Sequence, residues 1–218
     1  MCLICDGTYP TFTGEILELT CKKVEKIPLI SGVKVLTCKN CISLREISAI
    51  PGLRKLSCYS SDLLENIPNI PGLQELEILS CNTLSEIPII DGLQTLNCCE
   101  CTNITSIPII PGLERLFCRG TRIKELPLIP TLKFIYCTRT VISEIPHIDS
   151  LADLHCSDCY LVSSIPLLPN LKVLDCTGCP LITKLPNLEK LQYLNYDTYK
   201  ILNLPHFPGI KNINHENV

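Results

Sequence analysis

Apolar and polar positions along this chain follow one frame that recurs about every 20 residues. Residues 92–111 read GLQTLNCCECTNITSIPIIP, and residues 170–189 read NLKVLDCTGCPLITKLPNLE. An Ile-Pro or Leu-Pro pair ends each copy, at Ile27, Ile67, Ile87, Ile107, Leu126, Ile145, Ile165, Leu185 and Leu204, and Ile47 holds the same place with Ser48 in place of Pro. Successive pairs are 19 or 20 residues apart. A period this short predicts a solenoid, because no single unit can bury its own apolar face.

The spacing inside the unit says what each coil contains. Leu93, Leu96 and Cys98 stand three and then two apart, and the last two alternate as one face of a short strand does. Two prolines in most units forbid a helix on the return path, since Pro lacks an N–H and clashes with the preceding turn. The return limb is therefore predicted as extended, polyproline-like backbone. Gly32, Gly52, Gly72, Gly92 and Gly112 recur just before the strand, where the chain must turn sharply. Strands of successive coils should pair in parallel, and eleven coils would stack to about 50 Å. The ends are irregular. Residues 1–26 read as an N-terminal cap with a degenerate first coil, 27–203 as regular repeats, and 204–218 as a terminal partial repeat, the whole being one domain. His215 falls in a core slot of the last unit, which suggests a terminal coil facing water.

Composition narrows the function classes. The 218 residues are 46% apolar, enough for a sizeable core. A net charge of −3 gives no support for nucleic acid or an anionic membrane as partner. No stretch nears the ~18 apolar residues a membrane helix needs, and no secretory signal is visible at the N-terminus.

Sixteen cysteines suggest a disulfide framework until their places are read. Cys21, Cys38, Cys58, Cys98, Cys118, Cys137, Cys156 and Cys176 are assigned to one slot, which Ile78 fills in another copy. Cys41, Cys81, Cys101, Cys159 and Cys179 share a second slot, three residues later. A residue that exchanges with Ile acts as a small core hydrophobe. The thiols are read as reduced and the protein as intracellular, in the cytoplasm.

The consensus L-x-x-L-x-C-x-x-C-x-x-L-x-x-I-P-x-I-P-G resembles the leucine-rich repeat. The matching slots are Leu93, Leu96, Cys98, Cys101 and Ile104 in one copy, and Leu171, Leu174, Cys176, Cys179 and Ile182 in another. The resemblance covers roughly residues 16–218, and the short unit ending in I-P-x-I-P is similar to the repeats of bacterial effectors and giant-virus proteins. It implies a right-handed, curved solenoid with one short parallel strand per coil on the concave face and little or no helix. It also implies partner binding on that face. The chain departs from the family in placing Cys or Thr where Asn usually stands.

Other chemistry finds weaker support. Cys156, Cys159, Cys176 and Cys179 give C-x2-C-x16-C-x2-C, a zinc spacing. The same slots hold Thr121, Thr140 or Ser61 in other copies, and metal ligands are not exchanged freely, so no metal site or cofactor is expected. Cys38 and Cys41 lack the βαβ context of a redox pair. Cys2 and Cys5 lie outside the repeat and are left open. Pro-x-x-Pro pairs such as Pro108 and Pro111 recur in fixed phase, each adding a buried residue to the return limb rather than offering an SH3 ligand. The four histidines, His147, His155, His206 and His215, scatter over different slots, so the chain is not expected to be an enzyme.

The strand residues between the core slots should form the open face. Most are polar. Three neighbouring coils are different, and bring Arg115, Phe117, Arg119, Phe134, Tyr136, Arg139 and His155 to that face. Aromatics beside Arg have the composition of interface hot spots, although adjacent aromatics can also simply pair across strands. Glu75, Glu77, Glu100, Asp153, Asp158, Asp175 and Asp197 flank this patch. Two functions follow as expectations. One is a protein-binding module using the sheet face. The other is a structural protein that self-associates through its solenoid ends.

Overall fold

A computed structural model describes residues 2–198 and 200–216. The side chain of His215 lies outside the described residues, and with it the expectation drawn from that position.

Among the described residues, thirteen strands follow a short 3-10 turn at Tyr9–Thr11: β1 (Ile16–Leu19), β2 (Lys26–Ile27), β3 (Val35–Lys39), β4 (Glu46–Ile47), β5 (Lys55–Tyr59), β6 (Glu75–Leu79), β7 (Thr95–Asn97), β8 (Arg115–Phe117), β9 (Phe134–Tyr136), β10 (Asp153–His155), β11 (Val173–Asp175), β12 (Tyr193–Asp197) and β13 (Asn212–Glu216). Eleven of them form one parallel sheet in the order β1-β3-β5-β6-β7-β8-β9-β10-β11-β12-β13. The fold is a parallel β-solenoid with one main strand per coil and almost no helix, as the period and the prolines predict. Among the described residues, no helix is long and apolar enough to cross a membrane.

The sheet is in register from coil to coil: Leu56 pairs with Leu76, Leu76 with Leu96, and Leu96 with Leu116. Register stacks like on like, so each core slot becomes a column. In the coil of residues 93–110 the inward side chains are Leu93, Leu96, Cys98, Cys101, Ile104, Ile107 and Ile110, and all are buried. Burying each large aliphatic side chain contributes roughly 1.5–3 kcal/mol.

The return limb is extended but not uniform. β2 and β4 pair with each other, and the Ser48 N–H donates to the Ile27 carbonyl at 2.9 Å. Ser48 is the residue that replaces Pro, so this coil alone keeps the donor that a second ladder needs. In the Pro-x-x-Pro segments only one of the two middle residues is buried. Ile70, Ile110, Ile129 and Leu168 point in, whereas Ile109, Leu128 and Leu167 are exposed.

The two cysteine slots are physically different. Cys38, Cys58, Cys98, Cys118, Cys137, Cys156 and Cys176 are buried in line with Ile78, and of these Cys98, Cys137 and Cys176 reach the carbonyls of Phe117, His155 and Asn195 only at 3.5, 3.5 and 3.6 Å. Cys21 does not belong with them. The register pairs Leu19 with Cys38, which puts Cys21 two residues beyond that slot. Its backbone N–H meets the Cys41 thiol, as that of Ser61 meets Cys81 and that of Cys81 meets Cys101. Cys21 thus begins the second column, and it is only half-buried.

That second column is a line of donors. The thiols of Cys101, Cys159 and Cys179 donate to the carbonyls of Ile78, Cys137 and Cys156 in the preceding coil, at 3.2, 3.2 and 3.0 Å. Thr121 and Thr140 donate instead to Cys118 and Cys137 of their own coils, at 2.7 and 2.8 Å. Cys, Ser and Thr therefore interchange here because each carries a short donor. No two cysteines are bonded to each other among the described residues.

Candidate functional site on the sheet face

Strands β8, β9 and β10 lie side by side, with Arg115 opposite Phe134 and Phe134 opposite Asp153, and with Phe117 opposite Tyr136 and Tyr136 opposite His155. Alternation along each strand sends Leu116, Ile135 and Leu154 into the core and leaves the flanking residues on the open face. The rings meet there. Phe117 and Phe134 are 4.9 Å apart between centroids, Phe117 and Tyr136 6.4 Å, Phe134 and His155 5.7 Å, and Tyr136 and His155 5.6 Å. Such spacings are those of favourable tilted and edge-to-face pairs, each adding about 0.5–1.5 kcal/mol beyond burial. The Arg115 guanidinium sits 5.5 Å from the Phe117 ring centre and 5.2 Å from that of Phe134. It has no ion pair among the described residues.

The four rings are consequently half-buried by their own contacts, while Arg115 stays exposed. Of the predicted seven residues, the structure brings five together: Arg115, Phe117, Phe134, Tyr136 and His155. Arg119 and Arg139 stand apart, beyond the strand ends. Arg119 Nε pairs with Glu100 Oε1 at 3.3 Å, and Arg139 Nε with Asp158 Oδ2 at 3.2 Å. Thr138, just beyond β9, and Asp197, the last residue of β12, are covered by neighbouring coils and buried. Thr138 shares a hydrogen bond with Ser157 at 3.1 Å, and Asp197 accepts the Gly178 N–H at 2.9 Å.

Acidic residues around the cluster are largely engaged. Glu77 accepts from Lys55 Nζ, Ser57 Oγ and Tyr59 Oη at 2.9, 2.9 and 2.5 Å, and Lys55 also pairs with Glu75 at 2.9 Å. Burial pushes Glu77 up, but the three donors outweigh it and hold the carboxyl below its usual range. The same contacts, with Glu75 first, raise Lys55. This group spans β5 and β6 and is fully satisfied, so it reads as a brace between coils. Asp175 Oδ2 lies 4.0 Å from His155 Nδ1.

The zinc spacing of Cys156, Cys159, Cys176 and Cys179 does not become a cluster. These thiols are buried, and they belong to the two columns. Among the described residues, the metal-compatible group of three or more ligands is Cys2, Cys5 and Cys21, at the opposite end of the solenoid.

Sequence reasoning did not find the apolar residues Leu29, Ile89, Ile109, Leu128 and Leu167, exposed at equivalent points of the return limb. The signal was the apolar residue just after the Ile-Pro or Leu-Pro pair, which the pattern did not separate from its buried neighbour. Comparisons with protein-family models, with curated proteins and with solved structures give no match to this chain.

Proposed function

We propose that this chain is a non-catalytic binding module of the leucine-rich-repeat kind, which takes a protein partner on its sheet face over β8–β10. The observation that carries the reading is the aromatic cluster of Phe117, Phe134, Tyr136 and His155 under an Arg115 guanidinium without a carboxylate. A partner that offers an apolar side chain to the rings and a carboxylate to Arg115 fits this chemistry. The repeat assignment is supported by the burial of the apolar and Cys slots of the interior coils, and by a donor column of Cys, Ser and Thr where the family carries Asn.

Affinity capture with the intact chain, followed by titration of the captured protein, tests the proposal. Phe117→Ala and Tyr136→Ala should each weaken binding by ~2 kcal/mol or more. Unchanged affinity in both folded variants would sink it. The second reading, self-association through the ends, is favoured by the outer strands β1 and β13, each of which has one edge unpaired among the described residues. Solution mass across a concentration series decides between them, since end-to-end growth rises with concentration.

A further inference from the structure

The N-terminal end of the solenoid carries a thiol cluster that the repeat does not require. In the interior coils, a second-column cysteine such as Cys101 or Cys179 is buried and donates to a carbonyl one coil back. Cys21 opens that column and has no coil before it. In that place lies the cap, where residues 2–8 fold into a tight turn closed by hydrogen bonds from Asp6 N to Cys2 O (2.9 Å) and from Thr8 N to Leu3 O (3.0 Å). The turn aims Cys2 and Cys5 at Cys21. The Cys5 and Cys21 sulfurs are 3.5 Å apart, and all three sulfurs lie within 4.8 Å of one another. They are not sealed in: Cys5 is exposed, Cys2 and Cys21 are half-buried, and all three line an open groove with Asp6, Lys22 and Lys23.

We propose that Cys2, Cys5 and Cys21 form a binding site for a thiophilic d10 cation, zinc being the ion tested, which ties the cap to the first coil. A zinc ion holds thiolates at about 2.3 Å, which in a tetrahedron sets the sulfurs about 3.8 Å apart. The Cys5–Cys21 separation of 3.5 Å is close to that distance and no pair of the three exceeds 4.8 Å, so small rotations about the side-chain bonds are enough to close the set. Cys-x-x-Cys in a tight turn plus one distant cysteine is a ligand spacing suited to zinc. Water takes the fourth position. On binding, the three thiols give up their protons to solvent and three sulfur–metal bonds form, with no change of oxidation state. The resulting charge of −1 sits beside Lys22 and Lys23. A disulfide between Cys5 and Cys21 would use only two of the converging sulfurs and leave Cys2 unexplained.

The test uses the whole chain, kept in a metal-free reductant and titrated with cobalt(II) and then with zinc. The expected result is one cobalt per chain with intense thiolate-to-cobalt charge-transfer absorption, displaced by one zinc. Cys2→Ser, Cys5→Ser and Cys21→Ser should each weaken zinc binding well beyond the roughly tenfold cost of an outer-shell change. Cys99→Ser, at a half-buried thiol outside both columns, should bind as the parent does. Zinc should also raise the melting temperature of the parent but not that of Cys5→Ser, a variant whose exposed site leaves the core untouched. Absence of the charge-transfer band, metal binding that survives all three substitutions, or a Cys5–Cys21 disulfide that resists reductant would each overturn the proposal.

Discussion

At the scale of the residue, cysteine does two jobs in this solenoid, and substitution separates them. Cys118 lies in the column that also accepts Ile78, so its sulfur serves as an apolar filler. Cys118→Ser puts a hydroxyl in that environment and should cost roughly 1–3 kcal/mol. Cys101 lies in the donor column, where Thr121 and Thr140 already work, so Cys101→Thr should cost less than about 1 kcal/mol, within the worth of one hydrogen bond. Urea unfolding of the two variants checks the contrast, and equal losses would refute it. Gly112 is a different kind of constraint. Its φ is +84°, and an added Cβ would meet nothing within 4 Å. Gly112→Ala should therefore lose stability through the backbone alone, by about 1–2 kcal/mol in the same assay.

At the scale of the element, three short strands build the candidate site. β8, β9 and β10 each contribute three residues, and alternation puts two of the three on the open face. The sequence predicts Phe117 and Tyr136 side by side, and they are. Because the rings are in contact, truncating them also has a cost in stability. Phe117 touches Phe134 and Tyr136 across strands and Arg115 along its own. Phe117→Ala should lower stability by about 0.5–1.5 kcal/mol per ring pair removed while the coil count and the circular dichroism spectrum stay the same. A loss above about 4 kcal/mol, or a changed spectrum, would mean the cluster is part of the core rather than a surface.

At the scale of the molecule, stacked thiols tie the fold to pH. Burial pushes Cys98, Cys118 and Cys176 well above the usual thiol range, and it pushes Cys81 up to about 12 and Cys101 to about 11. In the unfolded chain each thiol ionises near pH 8.5 or so. Their stabilisation is complete below that pH and is lost as pH rises toward the folded values, because the unfolded state then binds fewer protons. Each such thiol should cost about 1.4 kcal/mol per pH unit in this window. Five acting together amount to about 7 kcal/mol per unit once fully engaged. Urea midpoints measured in reductant should hold steady from pH 6 to about 8 and fall steeply from about 9 to 11. A flat profile would show that the thiols are not buried as the columns require.

Sequence alone determined the coil. A strict period, alternation at the strand and proline on the return path are local signals, and they allow one architecture because a 20-residue unit has few ways to bury seven apolar slots. It also placed Phe117, Phe134, Tyr136 and His155 on one face, since parallel in-register stacking turns a slot into a position in space. What tertiary structure decided depends on which coil lies next door. Arg119 and Arg139 leave the patch because Glu100 and Asp158 in neighbouring coils hold them. Thr138 and Asp197 are buried because they bond to Ser157 and Gly178 of adjacent coils, which nothing in their own coil marks. Glu100 and Arg139 take φ of +61° and +58° in the turn that elsewhere uses Gly120 or Gly178, a backbone demand their side chains do not advertise. Cys21 looks like one more member of a repeat until the register places it at the open end of a column. Only there, with no preceding coil, does its sulfur meet those of Cys2 and Cys5. A repeat makes the interior of a solenoid legible because every coil has the same neighbours, and it is least informative at the ends, where a neighbour is missing.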